Sequence, residues 1–146
     1  MNKPIITWHA EKNEQLENIN ETYYAGSFNP NSPAITLALQ IWNNRWGQEN
    51  VQNIESSKLV LGFNTLEDSK LLEICEVRID GRAYDKVEII GSKGYINLDR
   101  ELSGASNSGT SSSTGNYARI EIRFNIEDVA LRNGVKNLFL DLEYLV

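Results

Sequence analysis

The sequence predicts an all-β protein: an antiparallel two-sheet β-sandwich with about seven or eight strands. Two observations predict it. Apolar residues recur at every second position, not at helical spacing. The segments that show this are short and are separated by turn-forming residues.

The clearest segment is 117–126. Ala118, Ile120, Ile122, Phe124 and Ile126 fall on one side, and Arg119, Glu121, Arg123 and Asn125 on the other. Successive side chains of a strand leave opposite faces, so this is the pattern of a half-buried antiparallel strand. At 138–144, Leu138, Leu140, Leu142 and Tyr144 oppose Phe139, Asp141 and Glu143. Ile35, Leu37, Leu39 and Ile41 define a further strand, as do Leu59, Leu61 and Phe63, and then Cys75, Val77 and Ile79. Shorter candidates lie at 87–90 and 95–98, and 22–28 adds an eighth.

The connections carry turn chemistry. Asp80-Gly81 suits the positive φ angles of a tight turn. The run at 91–94, with glycine at both ends, is another break, and the two prolines within 29–33 cannot continue a ladder. The polar stretch 11–20 reads as an arm or loop, and 127–133 as a single helical turn stopped by Gly134. The stretch 103–116 holds only small and polar residues and reads as a flexible loop. At 146 residues the chain fits one domain. The expected organisation is an N-terminal arm or extension at 1–20 and a single sandwich at 21–146, with the Ser/Gly-rich loop at 103–116.

Composition narrows the function. Apolar residues make up 40%, enough for a core, and the net charge is −6 with no clustered Lys and Arg, so no nucleic-acid partner is expected. Neither a membrane span nor a signal peptide is expected from the pattern. The single cysteine, Cys75, cannot form an internal disulfide, and its alternation with Val77 and Ile79 assigns it to the core. The single histidine, His9, would have to serve any triad, and zinc would need more His and Cys than the chain has. The acidic pairs Glu67-Asp68, Asp99 with Glu101, and Glu127-Asp128 read as solvated loops and strand ends; a glycosidase would need two of them facing each other across a cleft. No glycine motif cradles a phosphate and no spaced loop binds calcium, so no catalytic residue, metal or cofactor is assigned.

The unusual stretch is 41–47, where Trp42 and Trp46 flank Asn43, Asn44 and Arg45. Three readings are open. Trp42 covers the edge of the core while Trp46 plugs a sheet end; the pair anchors a protein interface, where Trp and Arg are enriched; or indole faces stack on sugar rings while Asn and Arg supply hydrogen bonds. Trp8 has the same ambiguity, with an arm packed on a neighbour as one option. The candidate binding residues are therefore Trp8, Trp42, Asn44, Arg45 and Trp46.

The segment 41–63, a strand ending in an aromatic-Asn-Asn turn with glycine and leading into the next apolar strand, resembles small Ig-like structural proteins of tailed bacteriophages. The later layout, a Gly/Ser/Asn-rich insertion before Tyr117-Ala118-Arg119-Ile120 and a closing strand at 138–144, is similar too. The resemblance implies an Ig-like or jelly-roll-type two-sheet sandwich and a non-enzymatic virion protein: a capsid-decoration, head-fibre, tail or baseplate component assembled in the host cytoplasm. Its partners would be other virion proteins, in a homo-oligomer or a repeated lattice. It implies no catalytic residues. The alternative expectation is a carbohydrate-binding module or adhesin that recognises a cell-surface glycan through Trp42, Asn44, Arg45 and Trp46. The strand-and-turn plan also resembles that of cellulose-binding modules of clostridial scaffoldins.

Overall fold

The computed structural model describes the chain outside 20, 21, 29, 32 and 33, with the backbone alone at 22–28 and at 135. In chain order the strands are β1 (Ile6–Lys12), β2 (Gln15–Ile19), β3 (Thr22–Phe28), β4 (Ala34–Asn43), β5 (Ser56–Phe63), β6 (Cys75–Ile79), β7 (Asp85–Lys86), β8 (Glu88–Ile90), β9 (Lys93–Asn97), β10 (Tyr117–Asn125) and β11 (Gly134–Leu145). Short 3₁₀ turns occupy Asp68–Glu73 and Val129–Arg132. Among the described residues the strands form two sheets, ordered β2-β1-β4-β10-β6-β7 and β3-β11-β5-β9-β8, and every strand pair is antiparallel. The molecule is an all-β sandwich, as its two-residue period predicts.

The inward residues are those set by the alternation. Ala118, Ile120, Ile122, Phe124 and Ile126 are all buried, and they meet Leu37, Leu39 and Ile41 of β4, Val77 of β6, Leu59 and Leu61 of β5, and Leu138, Leu140 and Leu142 of β11 in one cluster. Each of the larger of these side chains removed from water stabilises the fold by about 1.5–3 kcal/mol. Tyr144, expected on the same side, is 39% exposed, because it lies near the end of β11, where it pairs with Ser57 and no longer reaches the core.

The N-terminal segment differs from the expectation of an arm. Residues 6–19 are a β-hairpin in the six-stranded sheet, and β1 pairs with β4 from Ile6↔Asn43 to Ala10↔Leu39. Its turn is Asn13-Glu14, both with positive φ (50° and 64°), the geometry that matches strand twist in a two-residue hairpin. Trp8 and Ala10 point into the core, so Trp8, at 6% exposure, is a core residue of this chain and not an arm residue reaching a neighbour.

Three strands are thus additional to the expected eight: β1, β2 and the two-residue β7. Asp80-Gly81 is a turn with φ of 52° and 74°, as anticipated. Of 91–94, only Gly91 and Ser92 turn, while Lys93 and Gly94 already belong to β9. The break expected at 29–33 lies outside the described residues apart from Pro30 and Asn31, which form a turn. The helical turn expected at 127–133 is present, capped by the Asp128 side chain, which accepts from Ala130 N at 3.0 Å.

Candidate functional site

The outer face of the six-stranded sheet builds the site. On β4, Leu39 and Ile41 face the core, so Gln40 and Trp42 face outward; β1 likewise turns Thr7, His9 and Glu11 outward, and β10 turns out Tyr117 and Arg119. Register sets Thr7, Trp42 and Tyr117 in one row across the sheet and His9, Gln40 and Arg119 in the next. Trp42 is nevertheless fully buried, and His9 and Gln40 nearly so. What covers them is the 103–116 loop, together with Arg45.

That loop is fastened, contrary to the flexible segment its composition suggests. Ser103 N donates to Gly115 O at 2.8 Å and Asn107 N to Gly47 O at 3.1 Å. Asn50 Oδ1 accepts from Ser106 N at 2.9 Å, Asn53 Oδ1 accepts from Gly104 N at 2.8 Å, and Asn107 Nδ2 donates to Asn44 O at 2.7 Å. Asn116 Nδ2 donates to Ser103 O and to Ala105 O, both at 2.9 Å. The loop is ordered by asparagine amides answering backbone groups, not by apolar burial.

Beneath it lies a stack. Tyr117 packs on Trp42 with ring centroids 4.5 Å apart and 22° between planes, and the Tyr117 hydroxyl donates to Ser111 O at 2.9 Å. The Arg45 guanidinium lies 5.1 Å from the Trp42 ring centroid and 3.7 Å from that of Trp46, so it is held between two indoles. Arg45 Nε donates to Gly109 O at 3.1 Å, and Trp42 Nε1 donates to Gln40 Oε1 at 2.9 Å. Arg45 Nη1 lies 3.2 Å from His9 Nδ1, and His9 Nε2 lies 2.9 Å from Thr7 Oγ1. With Nδ1 accepting from Arg45, the ring proton sits on Nε2 and is donated to Thr7. Burial, and next the Arg45 charge, pull the His9 pKa down to about 4, so the ring is neutral at pH 7, while an Asn18 hydrogen bond acts in the opposite sense.

At the outer end of the stack stands Trp46, 56% exposed. Its φ is +61°, a rare conformation for a bulky residue, and Asn44 two residues before has φ +59°. The turn is fixed from both sides. Trp46 N donates to Asn107 Oδ1 at 3.2 Å, Gly47 N donates to Asn44 O at 2.9 Å, and the buried Asn44 amide donates to Glu49 O at 2.8 Å and Gly104 O at 2.9 Å. Gly109, itself at φ +71°, abuts the pyrrole half of the Trp46 indole where no side chain would fit.

Beside Trp46 opens a groove of about 410 Å³, bounded by the β1–β2 turn on one side and the Ser/Gly loop on the other. Glu11, Glu14, Gln40, Arg45, Thr110 and Ser111 line it with Trp46. Glu11 is held by Arg119, whose Nη2 donates to Oε1 at 2.8 Å. Of the five residues expected from the sequence, Arg45 and Trp46 reach the groove. Trp42 and Asn44 are buried supports beneath it, and Trp8 lies in the core. No protein-family model, no curated protein and no solved structure matches the chain.

Other reactive groups are occupied structurally. Cys75 is buried, which pushes its thiol up to about 12, and its Sγ lies 3.5 Å from Leu72 O. Asp68 is paired with Lys136 at 2.7 Å inside the fold. A carboxylate pair that the sequence did not single out, Glu55 with Glu101, shares a hydrogen bond that raises the Glu55 pKa at the surface. Among the described residues no group of three His, Cys, Asp or Glu is placed to hold a metal ion, and no helix is long and apolar enough to cross a membrane.

Proposed function

We propose that the protein is a structural, non-enzymatic component of a phage or phage-like particle, a decoration, head-fibre, tail or baseplate subunit that acts through protein–protein contacts. The observation that carries this reading is a group of exposed apolar side chains on and beside an open sheet edge, at the sandwich end remote from Trp46. Leu66 (84%), Ile90 (59%), Val129 (59%) and Ile89 (43%) are exposed there. Register fixes their place. Ile90 pairs with Lys93, which pairs with Gly62 near the end of β5, and Leu66 and Val129 follow the ends of β5 and β10. Trp46 follows the end of β4, which lies beside the start of β10. Ile89 and Ile90 also belong to β8, the outermost strand of its sheet, whose open side offers unpaired backbone groups to another chain. Exposed apolar side chains on an open edge are a contact surface in search of a partner. A stable contact buries about 1,200–2,000 Å² in all, which several such subunits reach together in a lattice. The acidic net charge of −6 keeps the subunit soluble before it assembles.

The test is particle composition. Particles purified from producing cells are expected to contain the chain at a fixed copy number, and the Ile89→Lys/Ile90→Lys double variant, folded by circular dichroism, is expected to remain in the soluble fraction. A wild-type chain recovered solely as a free monomer, absent from every particle, overturns the reading.

A further inference from the structure

We infer that the groove beside Trp46 is a binding site for a neutral sugar ring of a glycan chain. This goes beyond the assembly role, which uses the opposite end of the sandwich and does not depend on it.

Four features point to that ligand. First, one aromatic surface is presented and held. Trp46 remains 56% exposed although Arg45 stacks on it at 3.7 Å, and its backbone is locked at φ +61° by the bond to Asn107. A positive φ on a bulky residue persists only where the surroundings impose it, and such positions cluster at functional sites. A platform ordered before binding loses little freedom on binding. Second, the groove sets polar groups beside an apolar floor, with Leu16 and Gly109 next to the Trp46 indole. Glu11, Gln40 and Thr110 line it already bonded to Arg119, to Trp42 Nε1 and to neighbouring hydroxyls, while Glu14, Gln15 and Ser111 line it as well. The Glu14 carboxylate, the Gln15 amide and the Ser111 hydroxyl supply the mixed acceptors and donors that hydroxyls on neighbouring ring carbons require. The centre of a protein interface, by contrast, is poor in Glu. Third, the Glu14 carboxylate sets the sign. Arg45 is already engaged by two indoles, His9 and Gly109 O, and Arg119 by Glu11, so an acidic sugar would meet Glu14 without a free cation opposite it. Fourth, the volume of about 410 Å³ lies within the range of small-ligand sites, and the groove opens to solvent at the end of the sandwich, where a longer chain can run past.

The experiment is titration of the full-length chain, uniformly ¹⁵N-labelled, with neutral oligosaccharides (gluco-, galacto- and N-acetylglucosamine oligomers) and, in parallel, with sialyllactose and oligogalacturonate. At millimolar ligand, at least one neutral series is expected to shift amides at 14–16, 45–46 and 109–111 and the Trp46 indole NH, with the acidic sugars inert. Trp46→Ala is expected to weaken that binding by about tenfold or more, and Trp46→Phe by less, with the melting temperature of each variant checked separately. The inference is overturned by any of three results: no neutral sugar shifts these amides, the acidic sugars bind better, or Trp46→Ala abolishes incorporation into particles while leaving sugar binding intact, which would make the platform a protein contact. Failure of the Ile89/Ile90 variant to alter assembly would bear on the assembly role alone.

Discussion

Gly109→Ala separates a fastened Ser/Gly loop from a loose one. Two costs follow from the structure. Residue 109 has φ +71°, where an L-residue with a Cβ is disfavoured by about 1–2 kcal/mol. The new methyl group would also occupy the position of the Trp46 pyrrole ring, so the indole must swing away. That swing breaks the contact between Arg45 and Trp46, an interaction of about 0.5–1 kcal/mol at an exposed site. The expected destabilisation is therefore about 2 kcal/mol, with the two sheets unaffected. Gly115→Ala is the internal control. It sits in the same loop without a positive φ, and the nearest atom to its added methyl group would be Ser103 Cβ at an ordinary 3.7 Å. Urea unfolding followed by tryptophan fluorescence measures both, and the slope with denaturant should stay that of the wild type. If the two variants unfold within about 0.5 kcal/mol of each other, the loop is not packed on Trp46 and the reasoning fails.

Two further predictions concern buried charge. The His9 pKa, about 4 in the fold against an ordinary 6.5, means that the unfolded chain takes up a proton first as pH falls. The stability His9 contributes is complete above about pH 6.5, declines toward pH 4 and is then constant, a loss of about 3 kcal/mol at most. Unfolding of wild type and His9→Gln at pH 7.5 and pH 4.0 should show the gap between them narrowing at the lower pH, and an unchanged gap would count against the buried neutral ring. Asp68→Ala should destabilise the fold by about 1–3 kcal/mol in thermal unfolding, because it removes the carboxylate that the buried Lys136 ammonium meets at 2.7 Å. The Asp68→Leu/Lys136→Met double variant should recover most of that loss, and a double variant as unstable as the single one would show that the pair is not the cause.

The sandwich was legible where one face is greasy and the other charged. β10 shows it best: Ala118 to Ile126 alternate without a fault, and the outward Arg119 and Arg123 are exposed as expected. The β1–β2 hairpin was not legible as strand. Its turn is Asn13-Glu14, which lacks the glycine that marks such turns. Its outward residues include His9, which the overlying loop buries. The loop itself misled by composition. Small polar residues bury little apolar area, yet here they are ordered by amide side chains of Asn50, Asn53, Asn107 and Asn116, which a count of apolar residues does not register. The platform was half legible. Arg45 and Trp46 were singled out, but Trp42 and Asn44 support it from below. Parity held a signal for Trp42: it is in phase with Gln40 and out of phase with Leu39 and Ile41, so it belongs to the outer face and needs a cover of its own.

Hydrogen exchange at the loop amides asks most directly whether that cover exists in solution. The amides of Ser103, Asn107 and Asn116, which donate to Gly115 O, Gly47 O and Ser113 O, are predicted to exchange at least tenfold more slowly than unstructured peptide, at roughly that order of protection for locally opening segments. Exchange of all three at the unstructured rate would mean that the loop does not cover Trp42, and that Trp46 is not held in place as a platform.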